Sequence, residues 1–439
     1  MPTKTSSKAA PKKSAKKTTP KKTTTKSKTK KPVASNSDPK AERFAHPFFN
    51  KKPSQKTVKV DGTNTKMTGL VNYIATKLEQ IPPLKVDPPI MTLDQIIGAQ
   101  NASQIKTNKS ISFHAVGDTG HENGLPQQLV ADAMTLDYDV QHPEKSPAFF
   151  FHLGDVIYYN NTDQGYFSQF YVPYKKYPGK VIAIPGNHDG EMFKFNGAST
   201  GQLSSCGAFQ ENFCLPAPSV PPAAGSIYRE MVNQPGVYWI LNAPFVDIIG
   251  LYSNVAEGPG FISSPDIGTS QKDWLIKTLK GIKSARGSGS RKALVIGVHH
   301  PPFSSGGHSS STQMLADMDE ACNQAGIMPD VVLAAHSHNY QRYTRSLKFG
   351  GKDIQVPYIV AGMGGRGIGP VKAGDGSVVT DPIGSHTFNN SFVGYGYLTV
   401  TVDKNKLSVD VIQVDHLDGT KKPYETINVD LNTNVMTIG

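Results

Sequence analysis

Between residues 110 and 335, short apolar runs recur at 111–116, 148–153, 181–185, 293–298 and 331–335, each closed by polar residues. Within a run, apolar side chains follow one another without alternation. A strand sends successive side chains to opposite faces, so such a run predicts a strand buried on both faces, as in layered α/β proteins. Segments 127–136 and 271–279 carry apolar residues at helical spacing. A later group, 356–361, 396–402 and 407–414, alternates more and predicts antiparallel strands. The expected fold is α/β, with mixed sheets stacked as a sandwich and flanked by helices.

The beginning of the chain breaks this pattern. Residues 1–40 are almost wholly Lys, Thr, Ser, Ala and Pro, and the first 32 hold twelve lysines and no acid. Such a composition offers no apolar surface to offset the entropy of ordering, so a disordered basic tail is expected. The tail presents a polycation to nucleic acid or an acidic surface, or serves only to keep the chain dissolved. Without its lysines the formal net charge of +11 falls to 11 − 12 = −1, so the remaining chain is nearly neutral. Residues 41–109 read as a lead-in segment packing on the main domain, with an amphipathic stretch at 67–78 and a proline-rich run at 81–89. Residues 110–439 form that domain.

Several classes are disfavoured. No run approaches the roughly 18 apolar residues of a membrane-spanning helix, and the N-terminus lacks the apolar core of a secretory signal. A soluble protein, cytoplasmic by preference, is expected. Cys206, Cys214 and Cys322 are too few for a disulfide framework, though a local Cys206–Cys214 bridge would suit an oxidising compartment. No phosphate-binding GxxxxGK[ST] loop occurs, and the glycine-rich stretch 362–369 is expected to shape a pocket rim.

The candidate chemistry sits where the apolar runs end. In order these ends read Gly117-Asp118-Thr119-Gly120, Gly154-Asp155-Val156-Ile157-Tyr158, Gly186-Asn187-His188-Asp189, His299-His300-Pro301 and His336-Ser337-His338. One aspartate after a strand is usually a turn or capping residue. Five successive clusters, at the strand ends where open α/β sheets bind ligands, point instead to a metal centre. Neutral nitrogen from histidine together with oxygen from aspartate, asparagine and tyrosine suits Fe, Zn or Mn better than calcium. A carboxylate shared by two cations offsets their repulsion, and Asp155 is the candidate bridge.

The ordered set GDTG, GDVIY, GNHD, VHH and AHSH resembles the five motifs of the purple acid phosphatases within the calcineurin-like metallophosphoesterase superfamily, over about residues 110–415. The resemblance implies a four-layer α/β/β/α sandwich. It implies a first metal held by Asp118, Asp155, Tyr158 and His338, and a second held by Asp155, Asn187, His299 and His336. Gly120 stands where many relatives of the superfamily carry a ligating histidine, while Tyr158 stands where purple acid phosphatases supply a tyrosinate. Such a hard donor implies Fe(III) paired with Zn, Mn or Fe(II). Ala335 replaces the family's usual glycine, a change of one methyl group.

His188 is expected to face the substrate and to stabilise charge or protonate the leaving oxygen, with His308 and His300 as further catalytic candidates. The implied activity is that of an acid-phosphatase-like phosphomonoesterase, in which metal coordination turns water into the nucleophile and no phosphoenzyme is needed. The alternatives are a phosphodiesterase or nuclease using the same centre, which the lysine tail would suit, and a non-catalytic phosphate-binding protein.

Overall fold

The computed structural model describes residues 77–121, 124–194, 196–288 and 291–439. The basic tail and most of the amphipathic stretch at 67–78 lie outside the described residues.

Two mixed sheets carry the architecture. One has nine strands in the order Ile90–Thr92, Trp239–Asn242, Val246–Gly250, Ala293–Gly297, Val331–Ala334, Lys352–Ala361, Tyr340–Phe349, Gly384–Phe392, Val378–Asp381. The other has seven, in the order Met436–Ile438, Lys421–Asp430, Lys406–Val414, Tyr395–Asp403, Ser110–Val116, Phe149–His152, Lys180–Ala183. All five uninterrupted apolar runs are strands, and those with two strand neighbours pair in parallel where they adjoin one another. Ser110–Val116, Phe149–His152 and Lys180–Ala183 are parallel within the seven-stranded sheet, and Ala293–Gly297 and Val331–Ala334 within the nine-stranded one.

Their continuous apolarity follows from burial on both faces. Val295 and Leu333 point into the core between the sheets, beside Phe113, Phe151 and Val400 of the opposite sheet. Their neighbours Leu294, Ile296 and Val332 point the other way, onto Leu275 and Leu279 of the helix Ser270–Ser288 and Met314 and Met318 of the helix Thr312–Ala325. On the outer side of the seven-stranded sheet, the helix Leu125–Thr135 contributes Val130, Ala133 and Met134 to the core. The layers are therefore helix, sheet, sheet, helix, as the resemblance implied.

The pattern was less informative about the later strands. Tyr395–Asp403 and Lys406–Val414 are antiparallel as their alternation suggests. Lys352–Ala361, in contrast, runs parallel to Val331–Ala334 on one side and antiparallel to Tyr340–Phe349 on the other. It is covered on both sides, so it reads as a core strand and not as an open-faced one. The segment before the main domain adds Ile90–Thr92 to the nine-stranded sheet, parallel to Trp239–Asn242. All three cysteines are free and buried, so no Cys206–Cys214 bridge is present. Among the described residues, no helix is long and apolar enough to cross a membrane.

Candidate functional site

Each of the five parallel strands ends at a candidate residue, and the turns are bonded both between the two sheets and within one of them. Gly117 N–H donates to Ala361 O between the sheets, and Ala335 N–H donates to His299 O within the nine-stranded one. The turns themselves are conformationally costly. Asp118, Asp155, His336 and His338 all have φ between 47° and 70°, four of the nine described non-glycine residues with positive φ. A left-handed residue of this kind costs of order ~1–3 kcal/mol, and such costs concentrate where side chains must be aimed at a ligand. Gly154, at φ 93°, could not be replaced cheaply, because a Cβ there would lie 2.7 Å from the His299 ring.

The aimed side chains form two groups. In the first, Tyr158 Oη donates to Asp118 Oδ1 at 3.0 Å and lies 3.1 Å from His338 Nε2, which is 3.6 Å from the same Asp118 oxygen. In the second, His299 Nε2 lies 3.1 Å from Asn187 Oδ1 and 3.3 Å from Asp155 Oδ2. His336 joins Asp155 and His299 in one cluster close enough to hold a metal ion. The groups adjoin, with His299 Nε2 3.9 Å from Asp118 Oδ1. All seven candidate ligands are therefore brought together, and all are buried.

Their hydrogen bonds prepare them for a cation. His299 Nδ1–H donates to Leu153 O at 2.9 Å, which leaves the Nε2 lone pair facing two other acceptors. Three lone pairs converging without a proton or a cation repel one another. Burial opposes protonation of His299, yet the Asp155 and Asp118 carboxylates lift its pKa to about 9. His336 Nε2–H donates to Glu257 O at 2.7 Å, which directs its Nδ1 lone pair elsewhere. Burial pushes Asp118 up to about 7, with the Asp155 charge adding to the rise. Buried Asp118 Oδ2, Asp155 Oδ2 and Asn187 Nδ2 have no hydrogen-bond partner. Ligands 2.0–2.2 Å from one cation and at right angles stand ~3 Å apart, and both groups show that spacing. The residues present therefore fit two cations.

Adjacent residues are held by dedicated partners. Gln169 clamps the Tyr158 backbone, accepting from its N–H at 2.9 Å and donating to its carbonyl at 3.0 Å. This turns Tyr158 and not Tyr159 into the ligand group. Both tyrosine rings pack on His188, at 4.4 Å for Tyr158 and 5.0 Å for Tyr159. Asp189 accepts from the N–H groups of Gly186 and Val156, tying two of the turns together.

The three catalytic candidates differ. His188 donates its backbone N–H to Asp155 Oδ1 at 2.9 Å, pairs Nδ1 with Glu191 Oε2 at 2.8 Å, and places Nε2 3.7 Å from Glu257 Oε1. Burial opposes its protonation, but Glu191 and Asp155 raise its pKa overall. His308 is brought in as well, its ring 4.0 Å from that of His336, and it clusters with Glu257 and His336. His300 is close, 4.2 Å ring to ring from His336, but Nδ1 accepts from Ser253 Oγ and Nε2 donates to Ala256 O. Both ring nitrogens are spent on the protein, so the arrangement favours support over contact with a substrate.

Sequence reasoning missed Glu191, Glu257 and Arg366. Glu191 lies three residues after His188, a spacing that could have flagged it. Glu257 is a lone acid in a loop and had no local signal. Arg366 is the one charge in the glycine-rich stretch, and its guanidinium lies 4.4 Å from the Tyr158 ring centroid and 5.4 Å from that of Tyr159.

The sequence pattern of the family described as calcineurin-like phosphoesterase matches residues 111–340, more than half of the chain. No curated protein matches by sequence. Among solved structures, the chain is similar to GAP50, the anchor in the inner membrane complex of Plasmodium, at 12% identity and a TM-score of 0.42, covering 72% of this chain and 88% of that one. It is also similar to PhoD, at 14% identity and a TM-score of 0.43, covering 75% and 71%. A dimetal phosphatase from Danio rerio is similar at 12% identity and a TM-score of 0.39, covering 71% and 98%.

Proposed function

Because the chain belongs to the calcineurin-like phosphoesterase family, we propose that it hydrolyses phosphomonoesters with a dinuclear Fe(III)–M(II) centre, M being Zn, Mn or Fe, in the manner of purple acid phosphatases. The observation that carries this reading is the group Asp118 Oδ1, Tyr158 Oη and His338 Nε2, all within 3.6 Å of one another. A phenolate among these ligands is a hard donor that selects Fe(III). Asp118, Asp155, Tyr158 and His338 would hold one cation, and Asp155, Asn187, His299 and His336 the other. When bound, two such cations neutralise phosphoryl charge and lower the pKa of water.

The chain's own residues complete the chemistry. His188, held by Glu191, carries a proton in position for the leaving oxygen. His308 lines the same space and suits a phosphoryl oxygen. Asp189 and Gln169 keep the turns aimed and touch no substrate. The lysine tail favours a second reading, a phosphodiesterase or nuclease, in which it would hold a polyanionic substrate or partner.

Comparing a nitrophenyl monoester with the bis-ester separates the two readings. Faster monoester turnover is expected, and a strong preference for the bis-ester would overturn the first. Iron is tested separately. The purified protein should show a visible charge-transfer band that Tyr158→Phe abolishes, and an active protein without iron would remove the Fe(III) assignment.

A further inference from the structure

The loop 362–369 reads Gly-Met-Gly-Gly-Arg-Gly-Ile-Gly, so Arg366 is its one charged side chain. Its backbone is stitched to the turns that carry Asp118 and His338. Gly364 N–H donates to Gly117 O at 3.1 Å, Arg366 N–H to Asp118 O at 2.9 Å, and Gly369 N–H to His338 O at 2.7 Å. The approach is too close for a side chain at Gly362, where a Cβ would lie 2.3 Å from Asp118 Oδ2. The base of Arg366 is thus fixed to the candidate metal centre before any ligand arrives.

The guanidinium end is treated differently. It lies over the rings of Tyr158 and Tyr159, and its charge acts on His188 and His338. Among the described residues, no carboxylate lies within ion-pair distance of it, although its Nε is buried and lacks a hydrogen-bond partner. Arg366 as a whole is half-buried, but a guanidinium nitrogen shut off from water without an acceptor is unfavourable unless a ligand supplies one. The planar fork of arginine matches two oxygens of a phosphoryl group, and aromatic rings at its back limit the orientations it must give up on binding.

We propose that Arg366 is a substrate-binding residue that holds a phosphoryl oxygen beside the metal pair. This rests on the phosphoesterase reading above. It deepens that reading by favouring a terminal phosphate, whose extra unesterified oxygen can face Arg366 while others face the metals.

The test uses the full chain loaded with metal, Arg366→Gln and Arg366→Lys, nitrophenyl phosphate as substrate, and inorganic phosphate as the binding probe in calorimetry. Loss of a charged hydrogen bond predicts phosphate binding weaker by about 10–100-fold in Arg366→Gln, with KM raised to match. Arg366→Lys should fall between, since it keeps the charge and loses the fork. Metal content and thermal midpoint should stay at parental values in both. Parental phosphate affinity in Arg366→Gln would overturn the proposal, and so would weakening that only tracks lost metal. A parent that binds phosphate in an Arg366-dependent way yet hydrolyses no ester would sustain the anion seat and sink the hydrolase reading. A parent that binds no phosphate would sink both.

Discussion

Arg345 and Arg366 both lie beside pairs of aromatic rings, but only one is neutralised by the protein. Arg345, buried on the strand Tyr340–Phe349, donates to both Asp319 oxygens at 2.7 Å and to both Asp381 oxygens at 2.9 and 3.0 Å, with Tyr358 Oη completing the set at 3.2 Å. Arg366 has a buried, unpartnered Nε, and Asp118 Oδ2, Asp155 Oδ2 and Asn187 Nδ2 among the candidate metal ligands are unpartnered too. Buried polar groups are nearly always satisfied, so such a concentration marks a place built for something else. The Arg345 network is closed and holds the sheet to its helix. The strand-end site is open, and its deficits are complementary to cations and an anion.

The comparison predicts that damage in the open region costs function and damage in the closed one costs stability. The largest effect belongs to Asp155→Ala, which removes the candidate bridge. Turnover should fall beyond the roughly 10²–10⁴-fold typical of losing a general acid, with bound metal lost by elemental analysis and the circular-dichroism spectrum kept. Full metal occupancy in an active variant would contradict the assignment of Asp155.

His188→Ala sharpens the picture inside the site. Its neighbour Asn187 is assigned to a metal, whereas His188 is assigned to the leaving oxygen. The variant should keep both metals and lose about 10²–10⁴-fold in turnover with alkyl phosphates, and much less with nitrophenyl phosphate, whose phenolate departs unprotonated. Equal losses on both substrates would remove the general-acid role.

Arg345→Ala probes the other side. It leaves Asp319 and Asp381 without their cation, and breaking a buried ion pair from one side costs about 3–5 kcal/mol. Denaturant unfolding should show that loss, while turnover per folded molecule stays at the parental level. Unchanged stability with impaired turnover would erase the distinction between the two regions.

How much of this was legible in the sequence depended on whether the signal was local. The parallel strands were readable because burial on both faces leaves an uninterrupted apolar run, as in Val331–Ala334 with Leu333 facing one layer and Val332 the other. The seven candidate ligands were readable because each follows such a run within five residues. Tyr340–Phe349 was not called as a strand, since its Gln341, Arg342, Thr344 and Arg345 are polar and buried by partners distant in sequence, such as Glu425 for Arg342. Glu257 escaped for the same reason, reaching His188 and His336 only through the folded chain. His300 shows the converse failure. Its place beside His299 suggested chemistry, and only the fold reveals that Ser253 and Ala256 occupy both of its ring nitrogens.

The smallest effect expected is at Asp137, which belongs to a second closed network and titrates without any ligand. Tyr138 Oη donates to Tyr177 Oη, Tyr177 Oη donates to His114 Nδ1, and His114 Nε2–H donates to Asp137 Oδ2 at 3.0 Å. Burial lowers the His114 pKa, so this last contact joins a carboxylate to a neutral ring and is not an ion pair. Burial alone would raise Asp137, but hydrogen bonds from His114, Lys421 and Tyr397 outweigh it and hold the carboxyl at about 2. A carboxyl whose folded pKa lies below its unfolded value of about 3.9 adds stability above that value and loses it as pH falls toward the folded one. Its side chain is 26% exposed, so water screens part of the effect, and about 1–2 kcal/mol is expected at pH 7. Asp137→Asn should be less stable than the parent by that amount at pH 7, with the gap closing as pH drops from about 4 to about 2. Urea unfolding across that range reads the difference directly. A gap that persists at the acid end would assign the loss to shape and hydrogen-bond geometry, and would remove charge from the account of what this closed network contributes.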